Sequence, residues 1–282
     1  MKVIILSGGK TNLPGKLKNI PKALIEIKGR PLLEYQLDLL KKYKFSDIRL
    51  SLQYKAEEIL KYLKKKDPQG SISGKKGKIA GLEYIIGEKP LGTGGAIRAA
   101  AYGIKKDFLV INGDVLTNIN LSDFVNFYKK NISAPRIFPS SQFFRTITPK
   151  ILPLEISPLR KRVPFEDIVG AMAVFYTQES SGLGLVKLKN DRVVEFVEKP
   201  ELQYSGYINA GFYILSPQVF EIKIFKSKKK TEPFPIERVI FPELAKNSQL
   251  LGYVHRGLWA DIGSSEGLGT AQIIADKLNE KE

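Results

Sequence analysis

Val3-Ile4-Ile5-Leu6 is an apolar run that stops abruptly at Ser7-Gly8-Gly9, and this junction constrains the fold more than any other part of the 282-residue chain. The run lacks polar alternation, which suits a buried first strand. Over 31–43, Leu32, Leu33, Tyr35, Leu37, Leu39 and Leu40 suit a helix. The pattern then repeats as a strand over 48–52, a helix over 56–63, a strand over 82–86, a helix over 95–102 opened by a glycine-rich turn, and a strand over 108–111. Such alternation predicts βαβ units around a parallel sheet with right-handed crossovers. In these sheets ligands bind beyond the carboxyl ends of the strands. Three features fall at that edge: the loop after Leu6, the turn Leu91-Gly92-Thr93-Gly94-Gly95, and Asn112-Gly113-Asp114.

Strands resume over 171–176, 184–189, 193–197 and 210–215, and a helix closes the chain over 265–277. Between the halves, 131–169 carries Pro135, Pro139, Pro149, Pro153, Pro158 and Pro164 among basic and aromatic residues, with almost no regular period. Connections of that length are uncommon inside a compact domain, so the stretch reads as an insertion within a single domain spanning 1–282. The chain has no cysteine, which excludes a disulfide framework, a thiolate metal site and a cysteine nucleophile. The first apolar run is too short for a signal peptide or membrane span, and charges interrupt the later ones. A cytoplasmic chain with no membrane partner is expected. The net charge of +16 raises the question of a polyanionic partner. However, the lysine clusters at 41–42, 64–66 and 228–230 fall at expected helix ends or in loops, where cations suit the helix dipole. A solvated surface that attracts anionic substrates is expected, with no nucleic-acid partner.

Glycines directly after a strand let backbone N–H groups approach phosphate oxygens, so Leu6, Ser7, Gly8 and Gly9 read as a phosphate loop. The loop matches neither a Walker A motif nor the dinucleotide-fold spacing. Lys22, after Pro21, is placed to neutralise phosphate as a point cation, although alone it is one lysine among many. Asp114 follows a hydrophobic strand through a glycine and lies at the ligand edge. Asp261, in Trp259-Ala260-Asp261-Ile262-Gly263, offers a second carboxylate in a similar setting. Such a pair suits Mg²⁺, while a turn aspartate is the alternative at 114. Glu198-Lys199-Pro200 and Asn209-Ala210-Gly211 supply a carboxylate for sugar hydroxyls, a cation for a sugar phosphate and a polar amide. His255 reads as a structural or surface residue, and no serine-histidine-acid constellation is readable.

Taken in order, Leu6-Ser7-Gly8-Gly9, Pro21-Lys22, Gly29-Arg30-Pro31-Leu32-Leu33-Glu34-Tyr35, Leu91-Gly92-Thr93-Gly94-Gly95-Ala96, Asn112-Gly113-Asp114, Glu198-Lys199-Pro200, Asn209-Ala210-Gly211 and Trp259-Ala260-Asp261-Ile262-Gly263 resemble the blocks of the sugar-phosphate nucleotidylyltransferase family. The resemblance implies an α/β fold with a Rossmann-like mixed, mainly parallel sheet flanked by helices, of the glycosyltransferase-A type. No hexapeptide repeat follows, so no C-terminal β-helix is expected. The implied reaction is attack of a sugar 1-phosphate on the α-phosphorus of a nucleoside triphosphate, giving an NDP-sugar and pyrophosphate. Positioning and charge neutralisation would then carry catalysis. By the same resemblance Asp114 and Asp261 hold Mg²⁺, and Lys22 contacts the triphosphate or transition state. Lys199 holds the sugar phosphate, while Glu198, Asn209, Gly211 and the backbone at Gly184 face the sugar. Asn112 and Gly113 join the nucleotide site, and Leu91, Gly92 and Thr93 line the base with Gln53 and Glu88. The turn looks most like that of guanylyltransferases for mannose or heptose 1-phosphate. Uridylyl or thymidylyl transfer, or a nucleotide-sensing regulatory role, is the alternative.

Two departures stand out. The family loop runs Gly-Gly-x-Gly-Thr-Arg-Leu, whereas Gly8-Gly9-Lys10-Thr11-Asn12-Leu13 is one glycine short and has Asn12 in place of the arginine. Asparagine cannot copy a bidentate phosphate clamp, so Lys10 or Lys16 is the expected substitute. The insertion is the second departure, and its basic residues Arg136, Arg145, Lys150, Arg160, Lys161 and Arg162 suggest a lid, an oligomer contact or an anionic partner site, of which a homo-oligomer contact is favoured. Deleting 131–169 is therefore expected to lower the mass in solution by light scattering, and an unchanged oligomer would refute the contact.

Overall fold

Apolar runs become strands here because the sheet is covered on both faces; Val3, Ile4 and Ile5 are fully buried. The computed structural model describes residues 1–11, 13–133, 168–201, 205–229 and 231–280. Its first half contains β1 (Val3–Leu6), β2 (Glu26–Ile27), β3 (Arg30–Pro31), α1 (Leu32–Lys42), β4 (Ile48–Leu52), α2 (Ala56–Lys66), β5 (Lys76–Ile79), β6 (Leu82–Ile86), α3 (Gly92–Ala100), β7 (Phe108–Asn112), β8 (Val115–Thr117) and α4 (Leu121–Ser133). The second half contains β9 (Gly170–Thr177), β10 (Gly184–Lys189), β11 (Arg192–Glu198), β12 (Gly206–Leu215), α5 (Lys223–Ser227), α6 (Ile236–Val239), α7 (Phe241–Lys246), β13 (Leu250–His255), β14 (Trp259–Asp261) and α8 (Ser265–Asn279).

Ten strands form one mixed sheet in the order β10-β11-β13-β9-β12-β7-β1-β4-β6-β5. The block β7-β1-β4-β6 is parallel, as the alternation implied. Beyond it β12 runs antiparallel to both β7 and β9, and only β13 lies parallel to β9. The parallel character is thus concentrated in the N-terminal half. β10 also pairs with β12, so the last five strands curl back on themselves. Helices α1, α2 and α4 pack on one face through Leu33, Leu40, Ile59, Leu63 and Phe124. Helices α3, α5, α6 and α7 pack on the other through Ile97, Phe225, Ile236 and Phe241. A third cluster joins Ala271 and Ile274 of α8 to Ile27, Leu32, Ala260 and Leu13, and so anchors the far end of the glycine loop.

The expected elements are present, with shifted ends and additions. α3 starts at Gly92 rather than 95, and the short β8 and β14 had no periodic signal. α4 continues to Ser133, so the first three residues of the insertion are helical. Residues 134–167 of the insertion, and Asn12, lie outside the described residues. His255 is buried with Nε2 3.0 Å from the Thr117 hydroxyl, which bears out a structural role. Among the described residues no helix is long and apolar enough to cross a membrane.

Leu6 of β1 is level with Ser51 of β4 and Asn112 of β7, so the carboxyl ends of the parallel strands form one rim. At that rim the chain after β7 crosses directly over the end of β1. A Cβ at Gly113 would lie 2.4 Å from the Leu6 carbonyl oxygen and 3.2 Å from Ser7 Cα, both backbone atoms. Glycine is required by this approach. Gly113→Ala is expected to lower unfolding free energy by about 1–3 kcal/mol in denaturant titration, and a loss below about 0.5 kcal/mol would contradict the packing argument.

Candidate active site

A cavity of about 340 Å³ opens at this rim. Leu6, Gly8 and Gly9 line it from the glycine loop, Gln53 from the end of β4, Leu91, Gly92 and Thr93 from the start of α3, and Asn112 and Gly113 from the end of β7. Lys22, Ser51, Lys89 and Asp114 add polar groups, while Ile85, Pro90, Ala96 and Ala99 give it an apolar wall. Four residues expected here lie elsewhere. Ser7 is buried behind the loop, its N–H donating to Ser51 O at 2.9 Å. The Lys10 ammonium sits 5.8 Å from the centroid of the Tyr54 ring, on the outer side of the loop. Lys16 is exposed on the short helix Gly15–Leu17. Glu88 is exposed and pairs with Lys75 at 2.5 Å.

The glycine loop is pinned at both sides. Tyr54 N–H donates to Gly8 O at 3.3 Å and Lys22 N–H to Gly9 O at 3.4 Å. Neither the Gly8 nor the Gly9 amide has a partner among the described residues, so both are available to an anionic oxygen. The turn before α3 owes its glycines to packing. A Cβ at Gly92 would meet Phe234 O at 2.5 Å, and one at Gly94 would enter the Phe234 ring. Gly94 N–H donates to Phe234 O at 3.0 Å, and Phe234 N–H to Leu91 O at 2.9 Å. Thr93 then accepts from Ile236 N–H at 2.9 Å and donates its hydroxyl to Glu237.

Lys22 and Asp114, which line the cavity, meet a third charged side chain, Asp261, beside it. β14 pairs with β8, which sets Asp261 opposite Val115, and Ile262 N–H donates to Asp114 O at 2.9 Å. Lys22 Nζ lies 2.8 Å from Asp114 Oδ2. Asp261 Oδ1 accepts from Gly263 N–H at 2.7 Å. Burial, and then the Asp114 charge, pushes the Asp261 carboxyl up to about 6, although Gly263 N–H, Lys22 and Lys199 oppose this. Burial disfavours charge on Lys22, but Asp114 and then Asp261 outweigh it and hold the ammonium above its usual range. Two carboxylates and the Lys22 ammonium thus share a half-buried place, with Lys199 acting on Asp261 as well. Among the described residues no group of three or more metal-ligating side chains occurs. A cation here would take two carboxylates from the protein, and its remaining ligands from water and phosphate. That donor set fits Mg²⁺.

The residues expected to face the sugar fall in one line across the second half of the sheet. Gly184 pairs with Glu198, and it lies one step beyond the pair Leu185↔Ile208, level with Asn209. A Cβ at Gly184 would lie 2.8 Å from Glu198 Oε2, so the glycine makes room for that carboxylate. Burial raises the pKa of Glu198, with Lys199 and then Arg238 opposing. Lys199 has left-handed backbone (φ 50°) and is near enough to act on Asp261. Asn209 donates to the Tyr213 hydroxyl at 2.8 Å and accepts from Gly211 N–H at 3.0 Å. Gly211, with φ 77°, lets β12 pass within reach of Asn112 and Val115.

Sequence reading missed Glu237 and Tyr213. Burial raises the pKa of Glu237; Thr93 offsets this, and Glu198 and Asp114 add to it. Tyr213 is buried, and its hydroxyl receives Asn209 and, at 3.4 Å, Asn112. The available signal for Glu237 was a lone acid in the apolar stretch Phe234-Pro235-Ile236-Glu237-Arg238-Val239-Ile240-Phe241.

The family model described as nucleotidyl transferase matches residues 2–138 and 164–276, leaving 139–163 inside the insertion unmatched. The mannose-1-phosphate guanyltransferase of Candida albicans is 27% identical over 270 residues, covering 93% of this chain and 61% of that protein. The mannose-1-phosphate guanyltransferase of Saccharomyces cerevisiae is 28% identical over 278 residues, covering 97% and 64%. The chain thus spans less than two thirds of the length of these curated relatives. Among solved structures, HddC from Yersinia pseudotuberculosis superposes with a TM-score of 0.68 at 26% identity, covering 97% of this chain and 99% of that one. HddC has also been solved in complex with GMP-PN. A UDP-glucose pyrophosphorylase complexed with UDP-glucose shares the fold, with a TM-score of 0.67 at 20% identity and coverage of 98% of both chains.

The raised Asp261 pKa has a stability consequence. In the unfolded chain the group ionises near its ordinary value, whereas the folded protein resists ionisation until about pH 6. The resulting penalty is absent well below about pH 4, grows through that window and is complete above it. Asp261→Asn keeps an oxygen for Gly263 N–H and removes the charge. It is expected to stabilise the unliganded protein by roughly 1–3 kcal/mol at about pH 8, and to give no gain at about pH 3. Denaturant titrations at the two pH values check this, and equal stability of variant and parent at the higher pH would refute it.

Proposed function

Since the match over 2–138 and 164–276 shows that the chain belongs to the nucleotidyl transferase family, we propose that it joins a nucleoside triphosphate to a sugar 1-phosphate, releasing pyrophosphate. The observation that carries this reading is the junction of the cavity with the charged trio Lys22, Asp114 and Asp261, flanked by the line Asn209, Gly184 and Glu198. A base fits the apolar wall formed by Ile85, Pro90, Leu91 and Ala96, which leaves the phosphates toward the free amides of Gly8 and Gly9. The sugar lies over Gly184, with hydroxyls toward Glu198 and Asn209 and its phosphate toward Lys199.

A phosphate oxygen of the sugar 1-phosphate attacks the α-phosphorus, and the bond to the bridging oxygen of the leaving pyrophosphate breaks. The nucleophile is already an anion, so no strong base is needed, and catalysis comes from positioning and charge. Lys22 meets the charge that develops on the transferring group once Asp114 shares its own with other partners. Mg²⁺, which Asp114 and Asp261 would hold, would neutralise phosphate oxygens.

Guanylyl transfer to mannose or heptose 1-phosphate is the favoured specificity, supported by the similarity to the two mannose-1-phosphate guanyltransferases and to HddC, which has been solved with GMP-PN. A nucleotide-sensing relative is the second reading, favoured by Asn12 in the loop and by the outward position of Lys16. Pyrophosphate release with each nucleoside triphosphate, a panel of sugar 1-phosphates and Mg²⁺ separates the two. Turnover is expected and should be fastest with GTP, while nucleotide binding without turnover would favour sensing. Asp114→Asn is expected to reduce turnover by about 100-fold or more with little change in melting temperature, and full activity in that variant would exclude the assignment.

A further inference from the structure

Asp114 sits in a four-residue turn, Asn112-Gly113-Asp114-Val115, between β7 and β8, so its carboxylate is only as well placed as that turn. Gln36 of α1, 2% exposed, reaches this turn from below. Its Nε2 donates to Asn112 O at 2.9 Å and to Val115 O at 2.9 Å. Between these carbonyls, Asp114 O takes the N–H of Ile262, next to Asp261. One side chain and one neighbouring segment therefore hold three carbonyls of the turn, and the same segment carries the second carboxylate.

The chemistry of this contact is selective. A primary amide places two N–H donors on one uncharged atom, which matches two converging carbonyls. Glutamate offers at most one donor, and methionine none. Gln36 Oε1 is itself buried, with no partner among the described residues. Flipping the amide would turn that oxygen against two carbonyl oxygens, so the fold leaves an acceptor unsatisfied to keep both donors on the turn. The helix cannot easily shift to relieve it, because Leu33 and Leu40 lie in the core and the Tyr35 hydroxyl donates to Ile27 O at 3.0 Å.

We infer that Gln36 is a positioning residue for nucleotidyl transfer, which fixes the Asp114 turn against Lys22 and the Asp261 segment without touching substrate. Its kinetic consequences rest on the proposed function, whereas its hold on the turn does not. The test compares the full chain with Gln36→Met, of similar volume but without donors, and with Leu40→Ala, a core truncation in the same helix. Steady-state pyrophosphate release and hydrogen exchange of the segment 112–117 are measured for each. Gln36→Met is expected to lose about 10- to 100-fold in kcat with KM for the nucleotide within about threefold, and to exchange at least about tenfold faster over 112–117. Leu40→Ala should lower the melting temperature and keep kcat. If Gln36→Met does not fold, Gln36→Glu is read in the same way. The inference is overturned if kcat and exchange stay within about twofold in a folded Gln36 variant, or if Leu40→Ala reproduces the kcat loss. A parent protein without turnover on any substrate pair would defeat the proposed function, and exchange over 112–117 would then decide the role of Gln36.

Discussion

Two carboxylates and one ammonium confined at the end of a parallel sheet are the constraint around which this molecule is organised. Asp114, Asp261 and Lys22 come from three distant parts of the sequence, and each is delivered by a different device: a turn after β7, the β8–β14 ribbon, and the short helix Lys22–Leu24. Burial, and then the Asp114 charge, make an ionised Asp261 costly in the unliganded protein. A folded chain keeps such an arrangement only when surrounding packing overdetermines it. The core clusters on both faces of the sheet, and the third cluster under α8, supply that packing.

The residues legible from sequence were those whose chemistry sits next to a backbone signal. Gly8, Gly9 and Gly113 follow strands, and Asp114 follows a glycine, so their place at the rim could be read from alternation alone. Lys16 and Glu88 belonged to the right loops, but their side chains point to solvent, which order along the chain does not encode. Gln36, Tyr213 and Glu237 were illegible for the opposite reason. They are polar residues inside apolar helix or strand patterns, and their partners come from the seating of α1 against the turn after β7, the pairing of β12 with β7 and the docking of α6 on α3.

The glycine-rich turn at 91–95 shows how one motif can serve two ends. Leu91, Gly92 and Thr93 face the cavity, while Gly94 accommodates Phe234 and thereby brings Glu237 beside Thr93. The cavity wall is therefore tied through α3 to the segment leading into α6. Glycines that read as a ligand signature are in part a packing signature.

The return pairing of β10 onto β12 has a consequence for solubility. By curling the second half of the sheet, it leaves β5 as the exposed margin of the ten-stranded array. That margin reads Lys76-Gly77-Lys78-Ile79, with both lysines in solvent. Unpaired strand margins template aggregation, and like charges repel a second copy. One end of the sheet is sealed by geometry and the other guarded by charge.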